Sequence, residues 1–310
     1  MDTVAVVLEE PEKLTLRRLT LDAAGAGDAV VDIVWSGIST GTERLLWTGR
    51  MPPFPGLGYP LVPGYESVGR IVDASDGAAA GDWVFVPGAK CFGPVRGLFG
   101  GAASRVIVPS ARLLPIPEQL GERGVLLALA ATAHHALVGG AAPDLIVGHG
   151  ALGRLAARLC VALGHPAPVV WEREASRREG AQGYDVIDPD ADDSRRLYRT
   201  ILDVSGDARL LDTLIGRLSP GGEIVLAGFY AERLGFEFPP AFMREARLRV
   251  AAQWQQADLV AVRDMAASFR LSLDGLISHR APAESAQAAY RTAFNDTQCL
   301  KMILDWREAA

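Results

Sequence analysis

Six residues constrain this chain more than any others: Gly148-His149-Gly150-Ala151-Leu152-Gly153. A short apolar run, Leu145-Ile146-Val147, leads into them, and a stretch with helical apolar spacing, 152–163, leads out. Strand, glycine turn and helix in that order make a specific site of a pattern that is weak when it stands alone. Gly148 permits a tight turn, Gly150 lets the backbone approach a ligand, and Gly153 lets helix and strand pack closely. The helix N-terminus then offers unpaired N–H groups and the positive end of its dipole to phosphates. Glycines that merely turn the chain are the plainer alternative, and the flanking strand and helix count against it.

The residues that follow keep alternating. The pattern predicts a helix over 151–163, a strand over 168–172, a helix near 174–181, a strand over 185–187, a helix over 192–198, a strand over 200–204, a helix over 207–218 and a strand over 222–227. Short β-branched runs separated by helix-length segments imply an α/β fold, a doubly wound parallel sheet of the Rossmann kind. Glu172 ends the second strand, about twenty residues beyond the glycines, where a carboxylate accepts from both adenosine ribose hydroxyls and repels a 2′-phosphate. That favours NAD over NADP, although the adjacent Arg173 softens the preference. Strand ends face the ligand crevice in such sheets, so Ser205, Gly206 and Gly228 join Gly148, His149, Gly150, Ala151, Leu152, Gly153, Glu172 and Arg173 as candidate cofactor neighbours. Ser205, Gly206 and Gly228 serve equally well as plain turn residues.

The N-terminal part reads differently, as strands at 4–8, 29–35, 67–72, 82–86 and 104–108 around a Pro/Gly-rich loop over 49–64. After about residue 265 only a helix, 283–292, and a final strand, 301–304, are legible. That tail is short for a domain and is expected to pack back onto the N-terminal part. The expected division is 1–117 with 266–310, and 118–265. At 310 residues the chain has room for about two domains. Its net charge of -6 argues against a nucleic-acid surface. Cys91, Cys160 and Cys299 are far apart, without a CxxC pair for a zinc knuckle or redox dithiol. Sparse cysteines and a start without a secretory pattern point to the cytoplasm. The uncharged stretch 124–142 carries Thr132, His134, His135 and Gly139-Gly140, and reads better as a buried helix than as a transmembrane span.

Three segments in the first part resemble those of the medium-chain dehydrogenase/reductase superfamily. Pro63-Gly64-Tyr65-Glu66-Ser67-Val68-Gly69 resembles its PGHExxG segment, Gly81-Asp82-Trp83-Val84 its GDxV turn, and Gly100-Gly101-Ala102-Ala103-Ser104 its GGxAE segment. The resemblance implies a GroES-like, mainly-β catalytic domain beside the Rossmann domain. It also marks two departures. Ser39 stands where the superfamily's zinc-binding Cys would be, and Tyr65 replaces its zinc-binding His; the four-cysteine structural-zinc lobe is absent. Zinc takes His, Cys and carboxylate ligands, so no metal is expected. The blocks Trp35-Ser36-Gly37-Ile38-Ser39-Thr40-Gly41-Thr42-Glu43-Arg44, Trp47-Thr48-Gly49-Arg50-Met51-Pro52 and Tyr59-Pro60-Leu61-Val62-Pro63-Gly64-Tyr65-Glu66 resemble one zinc-free branch, the bacteriochlorophyllide a dehydrogenases. That resemblance implies NAD-dependent oxidation of the 3-(1-hydroxyethyl) group of a bacteriochlorophyllide to 3-acetyl, in bacteriochlorophyll biosynthesis.

Without a metal, the hydroxyl proton must leave through side chains. Tyr65 and Glu66 lie in the motif that normally faces the reacting oxygen, and Ser39, Thr42 and Glu43 in the segment that supplies the other ligand. A proton relay through them is the sharp expectation, and a satisfied polar network that only holds the loop is the plain one. His134 and His135 titrate near neutrality, yet an apolar helix more often holds satisfied histidines than bases. A wide, flat pigment needs a cleft walled by apolar groups. Trp47, Met51, Phe54, Leu57 and Tyr59 are candidate walls, with Arg50 and Lys90 as partners for a propionate. Two other functions stay open: a zinc-free quinone or enone reductase, against which Glu172 counts, and a non-catalytic NAD-responsive tetrapyrrole carrier. A homodimer is expected only by analogy of fold.

Overall fold

In the computed structural model, which describes residues 1–74, 79–191 and 197–309, strands short in sequence find long-range partners. The chain divides into two units, Met1–Ala128 with Asp274–Ala310, and Leu129–Leu273.

In the second unit, six described strands lie parallel: Leu145–Val147, Val169–Trp171, Asp185–Ile187, Tyr198–Asp203, Leu218–Leu226 and Arg247–Val250. Counted along the chain, their spatial order is third, second, first, fourth, fifth, sixth. That is the dinucleotide-binding order, and its reversal point lies between Leu145–Val147 and Tyr198–Asp203. Leu145, Ile146 and Val147 are all buried, which explains an unbroken apolar run where a half-exposed strand would alternate. The helix Ala151–Ala162 follows directly on the glycine turn.

Some expected helices shrink. Only a 3₁₀ turn, Ala175–Arg177, forms near 174–181. The Arg177 carbonyl accepts from His149 Nδ1 and Arg154 Nη2 instead of a helical N–H, and Gly180 and Gly183 both sit near φ +80°. Of the helix expected over 192–198, residues 192–196 lie outside the described residues, and Tyr198 opens a strand. The expected helix over 207–218 is a 3₁₀ turn, Ala208–Leu210, and a short helix, Leu211–Gly216.

The first unit is built on the long strand Asp28–Ile38. It pairs antiparallel with Ser67–Ala74, with Arg105–Pro109 and with the C-terminal strand Met302–Asp305. A second sheet pairs Asp2–Glu10 with Lys13–Thr20 and Leu61–Val62. The unit borders fall later than the sequence suggested, for packing reasons. The 3₁₀ run Glu118–Leu126 buries Leu120, Val125 and Leu126, and a Cβ on Gly124 would meet Val68 and Ile116, so this run stays with the first unit. The helix Gln256–Ala267 buries Leu259, Val262 and Met265 in the second unit. Among the described residues, no helix is long and apolar enough to cross a membrane.

Candidate functional site

The candidate residues gather in two constellations, one in each unit. In the second unit the glycines meet the demands the sequence placed on them. Gly148 has φ +103°, and a Cβ on Gly153 would fall 1.9 Å from the Gly148 carbonyl oxygen. Around Gly150 a Cβ would meet nothing within 4 Å, which leaves the backbone open to a ligand. The Glu172 carboxylate is tied beside the turn: Oε2 accepts from the His149 N–H at 3.0 Å and Oε1 from the Glu174 N–H at 2.9 Å. Arg173 is exposed and paired with the equally exposed Asp190, a contact worth little. At the next strand ends, Ser205 bonds Asp203 Oδ1 through both its N–H and its hydroxyl, and a Cβ on Gly228 would lie 3.0 Å from the Gly206 nitrogen. Ser205, Gly206 and Gly228 are thus brought together. The His149 side chain departs from expectation. Its imidazole does not line an open cradle but is fully buried, bonded to the Arg177 carbonyl at 2.6 Å and the Tyr184 hydroxyl at 2.8 Å. Burial, with Arg154 and Arg158 nearby, pulls it down to about 4.

In the first unit Ser39, Thr42, Glu43 and Tyr65 are linked by hydrogen bonds, whereas the Glu66 side chain bonds Lys301 instead. The short helix Thr42–Trp47 turns Glu43 inward. Glu43 Oε1 accepts from the Ser39 N–H at 3.0 Å, and Oε2 from the Tyr290 hydroxyl at 2.6 Å. The Ser39 and Tyr65 hydroxyls lie 2.7 Å apart, and Thr42 Oγ1 is 3.5 Å from the Tyr65 oxygen. Tyr65 also meets the Phe99 ring edge to face. Glu66 is fully buried and ion-paired to Lys301, and its Oε1 has no partner among the described residues. Burial above all, then the charge of Glu66, pushes Glu43 up to about 7, against the Tyr290 and Ser39 bonds and the Lys301 charge. Burial and Glu66 also hold the Tyr65 hydroxyl well above its ordinary range.

The candidate substrate residues scatter. Trp47 and Met51 are core residues, at 9% and 7% exposure, because Trp47 lies on the inner face of its helix against Tyr290 and Phe294. Neither is an open wall. Tyr59 gives its hydroxyl to the Leu46 carbonyl. Phe54, Arg50 and Lys90 are exposed, and Leu57 is half-buried. His134 and His135 both bond one carboxylate, Asp258, at 2.7 and 2.9 Å. Burial alone would raise Asp258; the Gln255 N–H and the two histidines more than offset it and hold the carboxyl low. These histidines are satisfied, as the plainer expectation had it.

Residues 25–118 match the alcohol dehydrogenase GroES-like domain model. Two relatives named 2-desacetyl-2-hydroxyethyl bacteriochlorophyllide A dehydrogenase, from Cereibacter sphaeroides and Rhodobacter capsulatus, are 57% and 56% identical and are matched over all of both chains. The chain belongs to the bacteriochlorophyllide A dehydrogenase family. An Escherichia coli alcohol dehydrogenase solved with NADH shares the fold, with a TM-score of 0.84 at 20% identity over 98% of this chain and 99% of that one. The family is one of oxidoreductases within the medium-chain dehydrogenase superfamily.

In this bacteriochlorophyllide A dehydrogenase family member the donor chemistry does not suit the superfamily's zinc. Hydroxyls stand at 39 and 65, and Glu66 already faces an ammonium. Among the described residues no three His, Cys, Asp or Glu side chains could hold a metal. The sequence reading missed Tyr290 and Lys301. A signal for Lys301 existed: it is the one charged residue in the apolar run Cys299-Leu300-Lys301-Met302-Ile303-Leu304, and a charge inside a buried strand pattern asks for a partner.

Proposed function

We propose that this chain oxidises the 3-(1-hydroxyethyl) group of a bacteriochlorophyllide to acetyl, with NAD as the oxidant and no metal. The observation that carries the reading is the bonded network Tyr65–Ser39–Glu43, set where the superfamily's metal ligands stand. In this reading the first unit, close to 1–117 with 266–310, is catalytic, and the second, close to 118–265, holds the cofactor. The backbone around Gly148, Gly150 and Gly153 fits a dinucleotide, because its turn is open where phosphates would lie and closed where the helix must pack. Ala151 and Leu152 supply the first N–H groups of the helix, and Glu172 takes the adenosine ribose hydroxyls. Ser205, Gly206 and Gly228 border the same crevice. A nicotinamide dinucleotide bound there supplies the hydride acceptor.

The chain's own residues handle the proton. Tyr65 receives a hydrogen bond from the substrate hydroxyl and stays protonated, because burial and Glu66 disfavour the phenolate. It therefore passes a proton on as it takes one. Ser39 and Thr42 share the Tyr65 hydroxyl. Glu43, which exchanges near neutrality, receives the proton when the Ser39 hydroxyl turns from Tyr65 to its carboxylate, whose present donors are the Ser39 N–H and the Tyr290 hydroxyl. A positioned acid–base group contributes about 10²–10⁴-fold. The substrate helps, since the new carbonyl conjugates with the macrocycle. Phe54, Leu57 and Tyr59 provide apolar and aromatic surface for the ring, and Arg50 and Lys90 are cations for its propionate.

The test mixes protein, NAD and 3-hydroxyethyl bacteriochlorophyllide, with and without a chelator, and follows absorbance. A red shift of the pigment together with NADH, unaffected by chelation, supports the whole reading. Pigment bound without turnover means a carrier. Turnover only with NADPH on quinones or enones means a reductase.

A further inference from the structure

We propose that His149, neutral and protonated on Nδ1, positions the adenosine half of the cofactor site by strapping the glycine turn to the loop behind Glu172. The proposal rests on the cofactor reading above. Three facts of geometry carry it. First, the Arg177 carbonyl can only accept, so Nδ1 at 2.6 Å bears the hydrogen, and in the neutral ring Nε2 then accepts from the Tyr184 hydroxyl at 2.8 Å. Second, Arg154 repeats the link, donating from Nε to the His149 carbonyl at 3.1 Å and from Nη2 to the same Arg177 carbonyl at 2.8 Å. Third, the His149 N–H donates to Glu172 Oε2. The turn that would hold the pyrophosphate and the loop that would hold the ribose are thus joined three times.

The strap is dry. His149, Arg154 and Tyr184 are at 0%, 7% and 7% exposure, so water does not compete for these bonds. The Tyr184 ring stands edge-on to the imidazole at 5.6 Å. Beyond the turn, Gly180 lies against Arg154, where a Cβ would fall 2.4 Å from Nη1, so the loop closes over the guanidinium. A cationic imidazole would lose its acceptor toward Tyr184, and the burial that holds His149 low keeps it neutral at physiological pH. Fixing two loops before a ligand arrives removes an ordering cost from binding. His149 touches no phosphate in this account; it acts through the backbone.

The probe is ADP-ribose, which carries the pyrophosphate and adenosine but no nicotinamide, titrated by calorimetry into the full-length protein. His149→Ala is expected to weaken it roughly tenfold or more, and Tyr184→Phe, which removes one hydroxyl, by a smaller factor. His149→Asn, whose amide can still donate to the Arg177 carbonyl, is expected to recover part of the loss. Binding of nicotinamide riboside, which lacks the phosphates the turn would hold, is expected to stay unchanged in all three, a split that general loosening of the fold would not produce. Parent-like ADP-ribose affinity in Tyr184→Phe and in whichever His149 variant folds overturns the strap while leaving the cofactor reading in place. A parent that binds no ADP-ribose overturns both.

Discussion

The Lys301 ammonium lies 2.6 Å from Glu66 Oε2, with the two side chains at 2% and 0% exposure. Lys301 also donates to the Ile38 carbonyl at 3.1 Å. A buried pair of this kind adds little over a well-packed apolar pair, but removing one partner strands a charge at a cost of about 3–5 kcal/mol. Lys301→Met is therefore expected to lose stability on that scale in denaturant unfolding, and the double variant Glu66→Gln/Lys301→Met to regain most of it. A Lys301→Met protein as stable as the parent contradicts the buried pair.

Tyr65→Phe removes one oxygen and leaves the ring against Phe99. The expected result is a fall in kcat of about 10²-fold or more, with pigment affinity unchanged. Normal turnover in this variant removes Tyr65 from the proton path.

The Glu43 carboxyl moves from 4.5 to about 7 on folding. Between those values the native chain holds a proton the unfolded chain has released, so stability falls as pH rises through this window and levels off above it, by at most about 1.4 kcal/mol per pH unit. Glu43→Gln should flatten that slope. If ionised Glu43 accepts the proton, oxidation in the parent slows below pH of about 7, and Tyr290→Phe, which removes a bond to the carboxylate, moves that limb upward. An acid limb that ignores both substitutions excludes Glu43 from the chemistry.

Glu172 holds the His149 and Glu174 N–H groups, and in the proposed reading it also takes the ribose hydroxyls. Glu172→Ser is expected to weaken NAD binding by roughly tenfold, about 1.4 kcal/mol, and to narrow its margin over NADP. Titration of both nucleotides by fluorescence checks this. An unchanged ratio removes Glu172 from cofactor selection.

The parallel strands were legible because residues buried on both faces, such as Leu145–Val147, leave no choice but an apolar run. The helix expected near 174–181 failed where tertiary donors took the Arg177 carbonyl, a competition that local pattern does not contain. The helix Gln256–Ala267 escaped notice since its capping box uses Gln255 and Asp258 instead of the commoner Ser or Thr with Glu. In the site, Ser39, Tyr65 and Glu66 were visible through segment order. Their partners were not: Lys301 is 235 residues from Glu66, and Tyr290 is 247 from Glu43.

Those long separations bear on how the molecule is made. The second unit is one continuous stretch, Leu129–Leu273, whereas the first needs Met302–Asp305 as a neighbour of Asp28–Ile38. During synthesis, at about 5–20 residues per second, the middle of the chain can fold while the front still waits for its last strand. Until that strand arrives Glu66 has no counter-ion, and Glu43 lacks the Tyr290 hydroxyl. A ribosome-bound or C-terminally clipped chain is therefore expected to keep the parallel sheet of the second unit while lacking the Glu66–Lys301 and Glu43–Tyr290 contacts of the first, so truncation tests the two units separately.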